Sequence, residues 1–168
     1  QWHDGMLCVT VGPAGALLYR LARAGVRATG IDRFRPPHEQ GSSHGLTRIT
    51  RLAVGEGDAF VPLVARSHAL WRELEADTGV ELYRRTGGLT IASAGADVHA
   101  FHGATGFFAR AVTIARANGI AHDLLDAADI RERFPMFTPA AGARGYLEHD
   151  AGILFPERAV ATHLSEAT

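Results

Sequence analysis

The chain has 168 residues, of which 46% are hydrophobic, and its formal net charge is −1. This composition is typical of a folded globular protein, argues against intrinsic disorder, and gives no basic excess for binding nucleic acid. With Cys8 as its only cysteine, with no apolar run of about 18 residues and with no N-terminal signal pattern, the sequence predicts a cytoplasmic protein without internal disulfides or a membrane span.

The N-terminal segment has the pattern of a β-α-β unit. Residues 6–11 form an apolar run of strand length, and residues 26–31 form a second one. Between them, residues 14–24 carry apolar side chains at helical spacing, and Gly25 ends the pattern. This order predicts a strand, a helix and a second strand, which is the unit that opens a Rossmann-like α/β domain.

The turn between the first strand and the helix is similar to a dinucleotide-binding fingerprint. That fingerprint has glycines at its first, third and sixth positions; Gly12 and Gly15 fill the last two, while Thr10 stands at the first. Asp32 follows the second strand about 20 residues after Gly12, where an acid accepts hydrogen bonds from a ribose diol. The pattern predicts nucleotide binding, and an ordinary glycine turn is the alternative.

The loop at residues 41–51 carries a histidine, a threonine and two arginines directly after this unit. Arg48 and Arg51 are close enough in sequence for a helical turn or a short extended piece to present both charges to one anionic partner, such as a carboxylate. A solvated basic loop is the alternative. The position beside a predicted nucleotide site favours a functional role.

The next elements are predicted as a helix followed by strands. We expect Asp58 to cap a helix that ends at Gly79 and buries one apolar face, formed by Phe60, Leu63, Val64, Trp71 and Leu74. Residues 82–92 predict a hairpin or paired strands around the glycine pair 87–88.

The second half of the chain alternates again between helices and strands. Residues 96–118 predict a helix in which His99 and His102 lie three apart; because no third ligand is evident beside them, we expect them to be exposed and not to bind a metal. Asp126 begins a short helix that the proline at position 135 stops. Strands are expected at 144–148 and 153–155, followed by a helix whose first turn contains Pro156 and Glu157.

Several of these segments together closely resemble the family of monomeric sarcosine oxidase and N-methyl-L-tryptophan oxidase. The segments that carry the resemblance follow the family's order and spacing: residues 32–38, 41–45, 47–51, 55–57, 60–63, 70–74, 86–89 and 150–158. The resemblance covers nearly all of the chain after Met6.

The resemblance implies an FAD-dependent oxidase that converts secondary or N-methyl amino acids to imines and reduces molecular oxygen to hydrogen peroxide. The residues matched to FAD-binding positions are Gly12, Gly15, Asp32, Ser43, Thr47 and Arg48. The residues matched to catalytic positions are His44 in the loop beside the flavin, Arg48 against the flavin ring and Arg51, which pairs with the substrate carboxylate. A guanidinium can hold a carboxylate by two hydrogen bonds and so orient the amine over the flavin.

The expected fold is α/β, with a Rossmann-like FAD/NAD(P)-binding domain and the beginning of an α+β substrate domain. Residues 6–85 are assigned to the first domain, 86–150 to the start of the second, and 151–168 to a segment that returns to the first. The resemblance places other functional residues in a C-terminal half, so we expect an N-terminal fragment that is inactive alone. Two alternatives stay open: a fragment of an NAD(P)-dependent dehydrogenase, and a noncatalytic nucleotide-binding remnant.

Overall fold

The computed structural model describes residues 7–10, 15–55, 57–95 and 106–168. The helices in these ranges are α1 Gly15–Arg23, α2 Val61–Thr78, α3 Phe107–Ala117, α4 Ala127–Arg133 and α5 Pro156–Ser165, and a 3-10 turn covers Asp58–Phe60. The strands are β1 Leu7–Thr10, β2 Ala28–Ile31, β3 Arg48–Thr50, β4 Tyr83–Arg85, β5 Gly88–Ala92, β6 His122–Leu125, β7 Arg144–Glu148 and β8 Gly152–Leu154. The fold is mixed α/β, as the sequence predicts.

The chain divides into two compact units. Unit 1 consists of Gln1–Arg48, Trp71–Tyr83 and Leu154–Thr168, and unit 2 consists of Ile49–Leu70 and Arg84–Ile153. Each unit is therefore built from segments that are separated in the sequence. The assignment of residues 6–85, 86–150 and 151–168 to cofactor and substrate domains stays a prediction.

Unit 1 begins with the predicted β-α-β unit. Strands β1 and β2 pair in parallel, from Leu7 opposite Ala28 to Thr10 opposite Ile31, and α1 lies between them in the chain. Gly25 ends the helix with a φ of 72°, a left-handed conformation that glycine adopts without strain. The buried residues of this unit form a core of Tyr19, Leu74, Leu82 and Ala159.

Unit 2 contains an antiparallel sheet in the order β5-β7-β6. Its core combines the buried face of α3 with residues of the sheet and of the segment after β3, including Ala53, Val61, Phe108, Ala115 and Tyr146. Helix α4 begins after Asp126 as predicted, and the Asp126 carboxylate caps it by accepting hydrogen bonds from the amides of Ala128 and Asp129. The side chain of Asp129 accepts in return from the amide of Asp126, which completes a capping box.

The strands predicted within residues 82–92 exist, but the prediction that they pair with each other is wrong. Strand β4 belongs to a sheet in the order β3-β8-β4, whereas β5 pairs with β7. Between them, Gly87 takes a φ of 73° and donates a backbone hydrogen bond to Ala151. The local pattern identifies strands, but their partners come from distant parts of the sequence.

The predicted start of α2 is also wrong. Asp58 lies inside the 3-10 turn that precedes the helix, and no side chain caps that turn. Phe60 and Leu63, expected on the buried face, are 50% and 66% exposed, whereas Leu74 is buried. The helix passes from unit 2 into unit 1 within its length, so no single core takes up its whole apolar face.

Of the helix predicted at residues 96–118, the described part is observed as α3 at Phe107–Ala117, which follows Gly106 in a left-handed conformation, and residues 96–105 lie outside the described residues. His99 and His102 lie outside the described residues, and the prediction about them stays open. In the part of the chain that the structure describes, no helix is long and apolar enough to cross a membrane.

Candidate functional site

Two clefts lie in unit 1 beside the predicted nucleotide-binding elements. The first, here called the acid cleft, has a volume of about 330 Å³ and is lined by residues that include Asp32, Phe34, His38 and Ser43. The second, here called the helix cleft, has a volume of about 240 Å³ and is lined by residues that include Gly15, Ser43, Arg48, Trp71 and His163. Ser43 lines both clefts, so the loop after β2 borders each of them.

Asp32 is held at the end of β2 as an ionised hydrogen-bond acceptor. Its Oδ1 accepts from the backbone amide of Phe34 at 3.0 Å, and its Oδ2 lies 3.2 Å from Nε2 of His38. The Phe34 amide, and after it the hydrogen bond with His38, hold the pKa of the Asp32 carboxyl below its usual range. A carboxylate has more acceptor positions than these two contacts use, so Asp32 can still accept from a hydroxyl in the acid cleft.

The N-terminus of α1 borders the helix cleft at Gly15. Free backbone amides at a helix N-terminus attract anions such as phosphate. A Cβ atom added at Gly15 would lie 3.8 Å from Cβ of His163, which is an ordinary contact distance. Packing within this unit therefore does not by itself require glycine here. Gly12, the other predicted pyrophosphate glycine, lies outside the described residues.

His163 of α5 is a residue of the helix cleft that the sequence did not predict. Its ring centre lies 5.4 Å from the ring centres of both Tyr19 and Trp71. Burial, together with the nearby charge of Arg20, lowers the pKa of His163, so its imidazole is neutral at neutral pH. A histidine in the last turn of an amphipathic helix gives no sequence signal that it lines a cleft.

Arg48 is turned toward the carbonyls of its own loop. Its Nη1 donates to the carbonyl of Thr47 at 2.8 Å, and its Nη2 donates to those of Ser42, at 3.0 Å, and His44. The Nδ1 atom of His44 in turn contacts the carbonyl of Gly41. The guanidinium thus ties several turns of the loop together and brings its positive charge to the helix cleft.

A residue of α5 fixes the same loop from outside. The backbone amide of Gly45 donates to Oε1 of Glu157 at 2.8 Å. Gly45 has a φ of 99°, and a Cβ atom there would lie 3.1 Å from Nη1 of Arg48. The sequence predicted Glu157 in the first turn of this helix, but it gave no signal for the contact with the loop.

Arg51 lies in unit 2, in the segment that follows β3. Its guanidinium carbon lies 5.2 Å from the ring centre of Phe107, within the range of a cation–π contact. The two residues after it, Leu52 and Ala53, donate their backbone amides to the carboxylate of Glu148, at 2.5 and 2.9 Å. Glu148 is 1% exposed, and neither composition nor spacing marked it in the sequence.

A parallel strand pair joined by a helix, with an ionised acid at the end of its second strand and clefts beside both, is an arrangement typical of dinucleotide-binding proteins. The model of the FAD dependent oxidoreductase family matches residues 15–168. The chain belongs to this family, whose cofactor is FAD. The residues present fit that group, because Asp32 can accept from a ribose and the amides at the start of α1 can face a phosphate.

The curated relatives agree with the resemblance predicted from the sequence. Monomeric sarcosine oxidase from Bacillus sp. (strain B-0618) is 36% identical over 168 residues, which cover 98% of this chain and 41% of that protein. N-methyl-L-tryptophan oxidase from Yersinia pestis (strain Pestoides F) is 35% identical over 159 residues, with coverage of 95% and 40%. The chain therefore spans about two fifths of the length of these relatives.

Solved structures show the same fold at lower sequence identity. The open form of NikD, described as an unusual amino acid oxidase essential for nikkomycin biosynthesis, matches with a TM-score of 0.82 and 21% identity over 97% of this chain and 40% of that one. The L-proline dehydrogenase from P. horikoshii matches with a TM-score of 0.74 and 19% identity, covering 98% and 42%.

Proposed function

We propose that the chain is the N-terminal part of an FAD-dependent oxidase that acts on secondary or N-methyl amino acids. In this proposal the amine is oxidised to an imine while molecular oxygen is reduced to hydrogen peroxide. The observation that carries the cofactor assignment is Asp32, an ionised acceptor at the end of a parallel strand and in the wall of a cleft. The names of the curated relatives support the class of substrate.

The cofactor is assigned to the two clefts of unit 1. Asp32 accepts hydrogen bonds from the ribose of the adenosine, and the turn at Gly12 and Gly15 faces the pyrophosphate. Ser43, which lines both clefts, contacts the cofactor between these two points. When bound, FAD supplies the acceptor for the hydride equivalent that leaves the substrate.

The loop with His44, Thr47 and Arg48 is assigned to the flavin. Arg48 gathers loop carbonyls around its guanidinium, so the loop is held in shape before any cofactor arrives. A fixed positive charge beside an electron acceptor favours the form that carries negative charge. His44 on the same loop is proposed to border the site of reaction.

Arg51 is assigned to the carboxylate of the amino acid substrate. The guanidinium of Arg51 lies against the ring of Phe107, and the N–H edges of a guanidinium match the two oxygens of a carboxylate. Holding the carboxylate in one place orients the amine carbon for hydride transfer. The remaining partners in this proposal are a small amine and molecular oxygen, and the proposed location is the cytoplasm.

The decisive test is a titration of the chain with FAD, followed by flavin fluorescence and visible absorption. We expect saturable binding, and we expect Asp32→Asn to weaken it about tenfold, because a charged hydrogen bond to the ribose is lost. The matched control is Asp123→Asn, since Asp123 is also an ionised aspartate hydrogen-bonded to a histidine and lies in unit 2. We expect that control to bind FAD as the unsubstituted chain does.

Two results would contradict the cofactor assignment. One is the absence of FAD binding by a chain that circular dichroism shows to be folded, which would favour a noncatalytic remnant. The other is an equal loss of affinity in both variants, which would remove Asp32 from the site. A parallel titration with NADH distinguishes the dehydrogenase alternative, because that alternative requires NADH to bind more tightly than FAD.

A further inference from the structure

We propose that Glu148 is a positioning residue that orients Arg51 for carboxylate binding. This inference rests on the proposed function, because it takes Arg51 as the group that holds the substrate carboxylate. Glu148 lies in β7, far from Arg51 in sequence, and its side chain is almost fully buried in unit 2. No part of the proposed chemistry uses it directly.

The contacts of Glu148 fix the backbone next to Arg51. The amide of Leu52 belongs to the peptide group that begins with the carbonyl of Arg51, and it donates to Oε1 of Glu148. The amide of Ala53 donates to Oε2 at 2.9 Å. Because one carboxylate holds two consecutive amides, the peptide plane after Arg51 is held in place, which limits the directions in which the Arg51 side chain can leave the backbone.

A buried tyrosine holds the carboxylate itself in place. The hydroxyl of Tyr146 donates to Oε2 of Glu148 at 2.9 Å, and both residues lie in β7. Burial and the adjacent carboxylate raise the pKa of Tyr146, so its hydroxyl keeps the proton that it donates. The charge of Arg51 acts on Tyr146 in the opposite direction, as expected of a nearby cation.

The other end of Arg51 is supported by Phe107, the aromatic ring under its guanidinium. That ring occupies the space above Gly55, where a Cβ atom would lie 2.5 Å from Cε2 of Phe107. Glu148 therefore holds the backbone next to Arg51, and Phe107 contacts its guanidinium group. Such support is what a site needs if it is to keep a charged group in one productive geometry.

The chemistry of the contact requires a carboxylate. Three donors converge on Glu148, and a carboxylate offers only acceptors. In Glu148→Gln the size is kept, but the new NH₂ group faces at least one N–H or O–H donor. We therefore expect this variant to make the segment at residues 51–53 less rigid without creating a cavity in the core.

The chain offers a matched control in Glu75. Its Oε1 also accepts from two consecutive backbone amides, those of Leu82 and Tyr83, both at 2.7 Å, but it does so in unit 1. Because both amides share one oxygen, the side-chain carbonyl of Glu75→Gln can accept from both, so this variant removes the charge of a backbone-holding carboxylate away from Arg51 without turning a new donor toward an amide. Any general effect of removing such a charge should appear in both variants.

The test uses the ¹⁵N-labelled chain and sarcosine as the probe, followed by NMR. We expect sarcosine to shift the Nε–Hε signal of Arg51, and Arg51→Ala to abolish saturable binding. We expect Glu148→Gln to weaken binding about tenfold and to broaden the Arg51 signal, while Glu75→Gln changes neither. The affinity for FAD, measured separately, should be the same in Glu148→Gln as in the unsubstituted chain.

The outcomes separate this inference from the function on which it rests. If sarcosine fails to bind, or if Arg51→Ala binds it normally, the proposed carboxylate site is wrong. If Arg51→Ala abolishes binding but Glu148→Gln leaves both the affinity and the Arg51 signal unchanged, the positioning role is overturned. If Glu148→Gln does not fold, Tyr146→Phe serves in its place, because it keeps the buried ring and removes one hydrogen bond to Glu148. It must then weaken sarcosine binding and broaden the Arg51 signal, each by less than is expected for Glu148→Gln.

Discussion

Asp32 and Glu148 show how the donors around a carboxylate decide what it can do. Asp32 is ionised by two local contacts and keeps acceptor capacity toward a cleft. Glu148 is buried and accepts hydrogen bonds from three donors of its own chain, the amides of Leu52 and Ala53 and the hydroxyl of Tyr146. The first is therefore available to a ligand, whereas the second acts on a ligand only through the backbone that it holds.

His163 gives a prediction about pH at the same scale. Its pKa in the folded chain is lowered from 6.5, chiefly by burial, so the unfolded chain binds this proton more readily. The contribution of the neutral ring to stability is therefore complete above about pH 6.5 and declines as the pH falls below that value. We expect His163→Phe, which keeps a ring against Tyr19 and Trp71, to remove this part of the pH dependence.

The measurement is chemical denaturation of the unsubstituted protein and of His163→Phe between pH 8 and pH 5. At pH 8 the imidazole is neutral in both states, so any difference between the chains there reports packing alone and serves as the reference. The difference in free energy of unfolding should then move in favour of the phenylalanine variant as the pH falls. A constant difference across the series would show that the proton on His163 is not linked to folding.

The loop before β3 is held by contacts that a side chain at Gly45 would disturb. Gly45→Ala places a Cβ in a left-handed conformation and 3.1 Å from the guanidinium of Arg48, so we expect a loss of about 1–2 kcal/mol in the free energy of unfolding. FAD affinity should fall as well, because the loop borders the helix cleft. Gly41→Ala is the control in the same loop, since a Cβ there would make an ordinary contact at 3.7 Å. Equal melting temperatures for the two variants would contradict this account.

Strand β5 gives a second prediction at the scale of an element. A Cβ at Gly88 would lie 2.6 Å from Cβ of Ala151, an atom that cannot rotate away. We expect Gly88→Ala to lower the free energy of unfolding by about 1–3 kcal/mol in a denaturant titration. Adding Ala151→Gly removes the opposing methyl group, so the double variant should be more stable than the sum of the two single changes. Strict additivity would show that the close approach is not the cause.

The elements that the sequence predicted well are those whose signals are local. The β-α-β unit, the start of α4 at Asp126 and the entry of α5 at Pro156 each follow from local sequence patterns. The prediction that β4 and β5 pair with each other was wrong because strand partners are determined by packing between distant segments. The prediction that Asp58 caps α2 was wrong because a 3-10 turn, which has no side-chain cap, precedes the helix.

The residues of the candidate site also divide into those with a local sequence signal and those whose contacts come from distant segments. Gly12, Gly15 and Asp32 follow a fixed spacing, so the sequence alone could propose them together as a nucleotide site, which stays a prediction. Glu148 and Glu157 act through contacts with amides from distant segments, at separations of 96 and 112 residues. Any surface glutamate has the same local signature, so only the fold distinguishes these two from the rest.

At the scale of the whole molecule, three aspartates predict the response to acid. The pKa values of Asp32, Asp123 and Asp126 are all lowered from 3.8: by the Phe34 amide, by Arg133 and by the amide of Asp129 as the largest cause in each case. Their contribution to stability is present above the unfolded value near 3.8 and is lost as the pH falls through the lower folded values. The chain should therefore lose stability progressively in this range.

Replacing all three by asparagine tests this, because asparagine keeps an acceptor oxygen but does not titrate. We expect the triple variant to be less stable near neutral pH and to lose less on acidification, in thermal melts between pH 6 and pH 3. The melting temperatures of the two proteins, plotted against pH, should approach each other near pH 3. If the two plots stay parallel over the whole range, groups other than these three aspartates cause the acid sensitivity.

The discontinuous make-up of unit 1 has a consequence for the order of events during synthesis. The loop that borders both clefts depends on Glu157, which leaves the ribosome 112 residues after Gly45. Every segment of unit 2 has been translated before Leu154, where the last segment of unit 1 begins. Helix α1 therefore makes its contacts with α5 only after every segment of unit 2 has been translated, so the compact structure of unit 1 depends on chain that is synthesised after unit 2.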